Sequence, residues 1–150
     1  MTETTALPDP TLRTDGTADI IGYRLRRAQL SVFQRFLAVF DAFGLRPAEY
    51  SVLVLVTDNP GRKQTEIAEV LGIKRANFVT LVHGLEARDL IERRPSADDR
   101  RANALHLTRA GEDFFAAARA RHDALEHELI SQLGGPAARD RLLELLERLS

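Results

Sequence analysis

The sequence predicts a mainly α-helical fold with a small β-hairpin wing: a winged helix-turn-helix flanked by helices at both ends. Residues 64–87 contain two short helical patterns separated by Gly72. Two strand-like runs follow, residues 90–94 and 104–108, around a charged tip. Long amphipathic patterns lie before and after this central part, which predicts a DNA-binding core between two sets of packing helices.

Length and composition favour one soluble domain. The 150 residues are 44% hydrophobic, which is enough for a single core. The absence of cysteine excludes a disulfide framework, a thiolate zinc site and a thiol-based sensor. No apolar run approaches the roughly 20 residues of a membrane span, and no signal-peptide pattern opens the chain. We therefore expect a cytoplasmic protein with no membrane association.

The net charge of −1 is unevenly distributed along the chain. Residues 62–101 contain nine Lys or Arg and seven Asp or Glu, whereas residues 112–150 contain five and eight. Basic charge is therefore concentrated in the central part, where a winged helix would meet double-stranded DNA.

The N-terminal part predicts a flexible arm followed by a long helix. Residues 1–19 are rich in Thr, Pro and Asp and have little to bury. A helical pattern then covers residues 20–43, where phenylalanines recur at steps of three and four, and Gly44 ends it. The next segment, residues 47–59, is ambiguous because residues 50–56 are β-prone. Pro47 favours a helix there because proline suits the first helical turn.

The C-terminal part predicts two more helices. Thr108 is expected to cap a helix that runs to about Leu133, and Gly134-Gly135-Pro136 interrupts it. The last helix ends in the leucines Leu142, Leu143, Leu145, Leu146 and Leu149. This is more leucine than a monomer of this size would cover, so we expect a homodimer formed by the terminal helices.

The second short helix has a polar, acid-free side that is typical of a DNA-contacting helix. Asparagine can pair with adenine, and lysine or arginine with guanine or phosphate. A solvated helix face is the alternative for these residues. The predicted DNA-contacting residues are Lys63, Gln64, Thr65, Lys74, Arg75, Ala76, Asn77, Thr80, Arg93, Arg94, Arg100 and Arg101.

The wing tip offers two arginines to a DNA groove. We expect Asp99 to orient one of Arg100 and Arg101 while the other enters the minor groove. Alternatively, both arginines pair with Asp98 and Asp99. Arg93 and Arg94 at the base of the wing either contact phosphate or cover the strand with polar side chains.

Residues 64–108, QTEIAEVLGIKRANFVTLVHGLEARDLIERRPSADDRRANALHLT, resemble the winged-helix core of the MarR family of bacterial regulators. The matching motifs are EIAEVLGI, LVHGLEARDLIERR, and DDRR followed by LHLT, and a looser resemblance covers residues 20–149. It implies one domain over residues 20–150, with the winged helix-turn-helix at about 47–108 and dimerisation helices at about 20–44 and 109–150. It also favours the helix at residues 47–59. In three places the chain departs from many relatives: Lys74 replaces a capping Ser or Thr, and Thr80 and Gly84 replace basic residues.

The resemblance also implies a homodimer that binds a palindromic operator and is released by a small anionic, often aromatic, effector. The segments GIKRANFVTLV and RRANALHLT are similar to the corresponding segments of MarR-type repressors of aromatic-acid degradation. Some of these repressors respond to a coenzyme A thioester. Five arginines but one acid between Arg24 and Arg46 agree with an anionic ligand. The predicted effector-contacting residues are Tyr23, Arg26, Arg27, Gln29, Phe33, Phe36, Phe40, Tyr50 and His122. The alternative for the phenylalanines is packing in the core or in the dimer interface, and the alternative for His122 is an interior histidine with its hydrogen bonds satisfied.

Other functions have weaker signals. His122 and His127 are five residues apart, a spacing that places them on different helix faces, so we expect no metal site. No phosphate loop, activated nucleophile or carboxylate pair is present, which predicts a protein that is not an enzyme and needs no cofactor. A DNA-binding or protein-interaction dimer without a ligand is the alternative function.

Overall fold

The computed structural model describes residues 14–150, and this part of the chain confirms the mainly helical fold with a two-stranded wing. Its helices are α1 (Asp15–Ala18), α2 (Ile21–Phe40), α3 (Pro47–Asp58), α4 (Gln64–Val70), α5 (Arg75–Ala87), α6 (Arg109–Leu133) and α7 (Pro136–Glu147). Its strands are β1 (Ile91–Pro95) and β2 (Asn103–Leu107). The chain divides into two compact units after Gln34, and we describe each by itself.

The first unit contains α1 and most of α2. Residues 1–13 of the predicted flexible arm lie outside the described part, so the arm stays a prediction. Within residues 14–19, Asp15–Ala18 forms one turn of helix with no buried residue. The Arg24 side chain donates a hydrogen bond from Nε to the Ala18 carbonyl oxygen at 2.7 Å, which joins that turn to α2.

The long first helix is shorter than predicted at its C-terminal end. It ends at Phe40, and Asp41–Phe43 forms a 3₁₀ turn instead of the expected α-helical end. The tighter turn closes when Gly44 donates its N–H to the Asp41 carbonyl at 3.0 Å. Gly44 has a φ of +56°, a conformation that glycine adopts without steric cost.

The ambiguous segment is helical, because α3 covers Pro47–Asp58. Its buried residues are Glu49, Tyr50, Val52, Leu53 and Val56, and pairs of them lie three and four residues apart, the spacing of one helix face. The β-branched composition of this segment reflects its burial rather than a strand. Glu49 fixes the start of the helix by accepting the backbone N–H of Arg46 at 2.8 Å.

The core of the second unit joins the helices to the wing. Phe40, Leu53, Phe78, Leu85 and Leu105 are all fully buried, and they come from α2, α3, α5 and β2. Each such side chain contributes about 1.5–3 kcal/mol by leaving water. The inner sides of α5 and the wing are therefore supported by apolar packing, which is non-directional.

The wing is an antiparallel hairpin in which Ile91 pairs with Leu107 and Pro95 with Asn103. Residues 61–63 extend this sheet, because Leu105 exchanges backbone hydrogen bonds of 3.0 Å with Gly61 and Arg62. This pairing places the start of α4 beside the wing.

The wing returns to α6 through a tight junction. Thr108 caps α6 as predicted, because its Oγ1 accepts the N–H of Gly111 at 2.9 Å and its hydroxyl donates to the Asp89 carbonyl. Gly111 packs so closely on Leu90 that a Cβ there would lie 2.0 Å from the Leu90 carbonyl oxygen. The first turn of α6 therefore requires glycine at this position.

We expect Gly111→Ala to lower the free energy of unfolding by about 1–3 kcal/mol or more, since the new methyl group overlaps the Leu90 carbonyl. Gly84→Ala in α5 is the matched control, because a Cβ there has no atom within 4 Å. Removing a mid-helix glycine should stabilise the protein by about 0.5–1 kcal/mol. Urea unfolding of both variants measures these changes; equal stability of Gly111→Ala and wild type would contradict the close contact.

Candidate functional site

The turn between α4 and α5 presents the second helix to solvent. Gly72, with a φ of +63°, allows the chain to reverse after α4, as the sequence predicted. In α5, Phe78, Val82 and Leu85 are buried, whereas Asn77 and Thr80 are exposed. The predicted polar side of this helix is therefore its outer face.

The basic and amide side chains on this outer face are free for an external partner. Lys74, Arg75 and Asn77 are exposed and make no side-chain hydrogen bond or ion pair with any residue of the described part, 14–150. Thr80 instead donates its hydroxyl to the Ala76 carbonyl at 3.2 Å, an internal helix contact. Ala76 is exposed beside them and offers a methyl group. The face is cationic, unpaired and free of acid.

The first turn of α5 also lacks a side-chain cap. Lys74 occupies the N-cap position with no side-chain hydrogen bond, whereas Thr108 caps α6. At the start of α4, Glu66 accepts the backbone N–H of Lys63 at 2.8 Å. Uncapped N–H groups at a helix N-terminus attract anions, so this end of α5 suits a phosphate oxygen.

The wing tip holds its arginines differently from the sequence prediction. Asp99 accepts the backbone N–H of Arg101 at 3.0 Å, so it stabilises the turn and does not orient a guanidinium. Ser96 and Ala102 close the tip with a 2.9 Å backbone hydrogen bond. The side chains of Arg100 and Arg101 are exposed, with no partner among residues 14–150. Both remain available to a DNA groove.

The arginines at the base of the wing are engaged within the protein. Arg93 Nη2 lies 3.2 Å from Glu86 Oε2, and the Arg93 side chain is only 21% exposed. Arg94 forms an ion pair with Glu92 on the same strand. The sequence left two roles open for Arg93 and Arg94. Their contacts within the protein agree better with a polar cover over the strand than with phosphate binding.

The three predicted contacts at the start of α4 differ in exposure. Thr65 is exposed, whereas Lys63 and Gln64 are partly buried. Lys63 forms an isolated bridge to Ala104 of the wing. The Gln64 Oε1 atom is buried without a hydrogen-bond partner in the described chain. Thr65 is therefore the one of the three whose side chain is open to solvent.

Four of the predicted effector residues form one aromatic cluster in the second unit. Tyr50 stacks on His122 with ring centroids 4.7 Å apart. Phe40 lies 5.1 Å from Tyr50, and Phe36 stacks on Phe40 at 4.1 Å. His122 is partly exposed, whereas Phe40 and Tyr50 are buried. The cluster therefore consists of closely packed, buried aromatic rings with the partly exposed imidazole of His122 at its edge.

Three charged residues of α6 influence the ionisation of Tyr50. Burial raises the pKa of Tyr50 above its ordinary value of 10.0, the nearby Arg119 opposes that shift, and Asp123 and Glu126 add to it. Sequence reasoning missed Arg119, whose guanidinium carbon also lies 5.8 Å from the centre of the Phe115 ring. Its position three residues before His122, on the same helix face, is the signal that could have indicated it.

The other five predicted effector residues belong to the first unit. Tyr23, Arg26, Arg27, Gln29 and Phe33 all lie on α2 and are exposed. Tyr23 and Phe33 are 37% and 41% exposed, so this end of the helix presents aromatic and cationic groups to solvent. Their part in an effector site stays a prediction.

Comparison with known proteins identifies the family. The MarR family model matches residues 43–102, which contain the helix-turn-helix and the first strand and tip of the wing. A transcriptional regulatory protein proposed for the hcr operon of Thauera aromatica is 32% identical over 130 residues, 86% of this chain and 78% of that protein. The chain belongs to the MarR family.

Solved structures of other MarR-type regulators agree in fold. A structure of the transcriptional repressor CouR bound to a 23-mer DNA duplex is 41% identical, with a TM-score of 0.85 over 92% of this chain and 97% of that chain. CouR bound to p-coumaroyl-CoA is 40% identical, with a TM-score of 0.81 over 92% and 96%. These relatives are transcriptional regulators. This MarR-family chain is likewise a DNA-binding transcriptional regulator and not an enzyme.

Two further features bear on the site of this MarR-family protein. Within residues 14–150, no three His, Asp or Glu side chains come together in a way that would hold a metal ion. None of the helices in that part is long and apolar enough to cross a membrane.

Because Arg75 and Asn77 are exposed and unpaired, we expect Arg75→Ala and Asn77→Ala each to weaken specific DNA binding by about 1–3 kcal/mol. Both variants should fold normally, since neither side chain contributes to the core. Titration at fixed salt against a duplex selected from random-sequence DNA provides the measurement. Arg109→Ala is the control and should keep the wild-type affinity, because Arg109 lies outside α5, is 85% exposed and pairs only with Asp113 on its own helix. Unchanged affinity of both test variants would show that α5 is not the recognition helix.

Replacing Arg100 and Arg101 by alanine should lower DNA affinity and flatten the slope of log K against log salt. The expected change is about 0.9 per lost phosphate-equivalent contact, and so up to about two units. Asp98→Asn is the matched control, since it removes an unpaired acid from the same tip and should raise affinity without disturbing the Asp99 turn. Equal slopes for wild type and the arginine variant would exclude contact between the wing arginines and DNA.

Proposed function

We propose that this protein is a ligand-responsive dimeric repressor that binds a palindromic operator and leaves it when a small anionic aromatic ligand binds. The ligand class is an aromatic carboxylate or its coenzyme A thioester. The observation that carries the DNA-binding part is the unpaired cationic outer face of α5, next to two unpaired arginines on the wing. One helix in the major groove and one wing in the adjacent minor groove use all of these residues.

Exposed leucines support dimerisation. α7 has no buried residue, and Leu143 and Leu149 are 50% and 63% exposed. Leu133 at the end of α6 is 43% exposed, and α2 exposes further apolar side chains. A second copy of the chain would cover these surfaces with their own equivalents, as a two-fold axis requires. Such a dimer presents two α5 helices to two half-sites, which is the reason for proposing a palindromic operator.

The aromatic cluster supports an aromatic effector. Phe36, Tyr50 and His122 provide ring faces and edges, and the partly open His122 leaves one side of the stack accessible. Arg119 adds a cation that has no ion-pair partner among residues 14–150. Stacking and a guanidinium together suit a ring that bears an anionic or carbonyl group. The relative described in complex with p-coumaroyl-CoA makes an aromatic acyl thioester the first compound to try.

A dimer that binds DNA without a ligand is the second candidate. The dense packing of Phe40 and Tyr50 favours it, because a fully occupied core has no need of a ligand. The two candidates differ in one observable: only a ligand-responsive repressor loses operator affinity when a stoichiometric ligand is added.

Sedimentation and titration test the proposal on the full-length protein. We expect a dimer at micromolar concentration, one p-coumaroyl-CoA bound per subunit by calorimetry, and operator affinity lowered about 5- to 150-fold at saturation. Free p-coumarate and coenzyme A are the controls that separate the acid from its thioester. A monomer would contradict the dimer, and operator affinity that does not change with any of the three compounds would favour the ligand-independent alternative.

A further inference from the structure

Arg88 connects the recognition helix to the aromatic cluster. It is the C-cap residue of α5, one residue beyond the helix end. Its Nη1 donates to the Gly44 carbonyl at 3.0 Å, and its Nη2 donates to the Phe43 carbonyl at 2.6 Å. A guanidinium has the fixed fork that serves two neighbouring acceptors at once. One side chain therefore joins the C-terminal end of α5 to the turn between α2 and α3.

Aromatic contacts continue from that turn to the effector-facing residues. The Arg88 guanidinium carbon lies 5.1 Å from the centre of the Phe114 ring, which meets Phe43 edge-to-face at 5.7 Å. Phe43 lies 6.0 Å from Phe40, and Phe40 lies 5.1 Å from Tyr50. A ring inserted next to Tyr50 cannot move these side chains one at a time, because Phe40 is fully buried and interiors are close-packed.

α5 has few directional contacts that could set its orientation. Its buried residues pack in a non-directional apolar core. Among residues 14–150, two sets of polar side-chain contacts leave the helix or its C-cap. One is the ion pair of Glu86 with Arg93 of the wing, a charge contact at 3.2 Å in which the buried Arg93 Nη2 has no hydrogen-bond partner. The other is the pair of Arg88 hydrogen bonds, which fixes the same end of the helix to the turn that follows Phe40.

We propose that Arg88 is the positioning residue through which the aromatic cluster sets the orientation of the recognition helix. Displacement of Phe40 and Phe43 moves the carbonyls of residues 43 and 44, and the guanidinium carries the end of α5 with them. Arg88 contacts neither the operator nor the effector. Its role is the coupling between their two sites, which rests on the proposed function above.

The experiment compares Arg88→Gln and Arg88→Lys with wild type, using the full-length protein, a duplex selected from random-sequence DNA and p-coumaroyl-CoA as the probe. Lysine keeps the charge and the stem but not the fork, so it can satisfy one carbonyl only. Arg109→Gln is the matched control, because Arg109 is 85% exposed and pairs only with Asp113 on its own helix. Thermal unfolding of each variant establishes that it is folded.

We expect both Arg88 variants to bind the probe and the operator separately with affinities within about threefold of the wild-type values. The ratio of operator affinities without and with saturating probe should fall from at least about fivefold in wild type to within about twofold of one. Arg109→Gln should keep the wild-type ratio. A wild-type ratio in both Arg88 variants would overturn the proposal, because a merely structural residue alters stability but not this ratio.

A second measurement separates failure of this proposal from failure of the proposed effector. If calorimetry shows no binding of the probe to wild type, the effector assignment is wrong and the coupling is tested without ligand. Operator affinity is then measured for His122→Ala, Arg88→Gln and the double variant. These two residues share no hydrogen bond or ring contact. Effects that depart from additivity by more than about threefold support the link, and additive effects overturn it.

Discussion

The structure depends on the junction where Thr108 and Gly111 close over Asp89 and Leu90. There the end of the recognition helix, the first strand of the wing and the start of α6 meet within a few residues. The Thr108 hydroxyl serves two backbone groups at once, and the absent side chain of Gly111 lets α6 approach the Leu90 carbonyl. This contact and the buried Phe115 and Ala118 of α6 hold the long helix that carries His122 against the core that supports α5 and the wing.

Much of this architecture follows from local sequence signals. Pro47, Gly72 and Thr108 mark a helix start, a turn and a cap, and each acts through its own backbone chemistry. The phenylalanine spacing predicted a helix, but not that the helix would tighten to a 3₁₀ turn after Phe40. That change depends on the Gly44 turn and on Arg88, which is distant in sequence. Long-range side-chain contacts of this kind have no periodic signature.

The candidate site, too, was predictable from the sequence only in part. The outer face of α5 was predictable because successive residues of a helix are about 100° apart, which turns Asn77 and Thr80 away from the buried side of Phe78, Val82 and Leu85. The partners of the charged side chains were not predictable. Glu86 of α5 pairs with Arg93 of β1, and Asp99 accepts a backbone N–H instead of pairing with an arginine side chain. Arg119 was not predicted from the sequence, because it influences the pKa of Tyr50 only when α6 packs beside that residue. Helical periodicity predicts which face of α5 is exposed, whereas tertiary packing determines the partners of the charged side chains.

The missing cap on α5 has a consequence for how the free protein behaves. The first turn of α5 has no side-chain acceptor for its free N–H groups, and Lys74 adds a positive charge at the positive end of the helix dipole. A DNA phosphate supplies both the missing acceptor and the compensating charge. The start of α5 is therefore suited to bind an anion at its free N–H groups. An anion bound at this end would stabilise α5 more than it would stabilise α6, whose first turn already has the Thr108 cap.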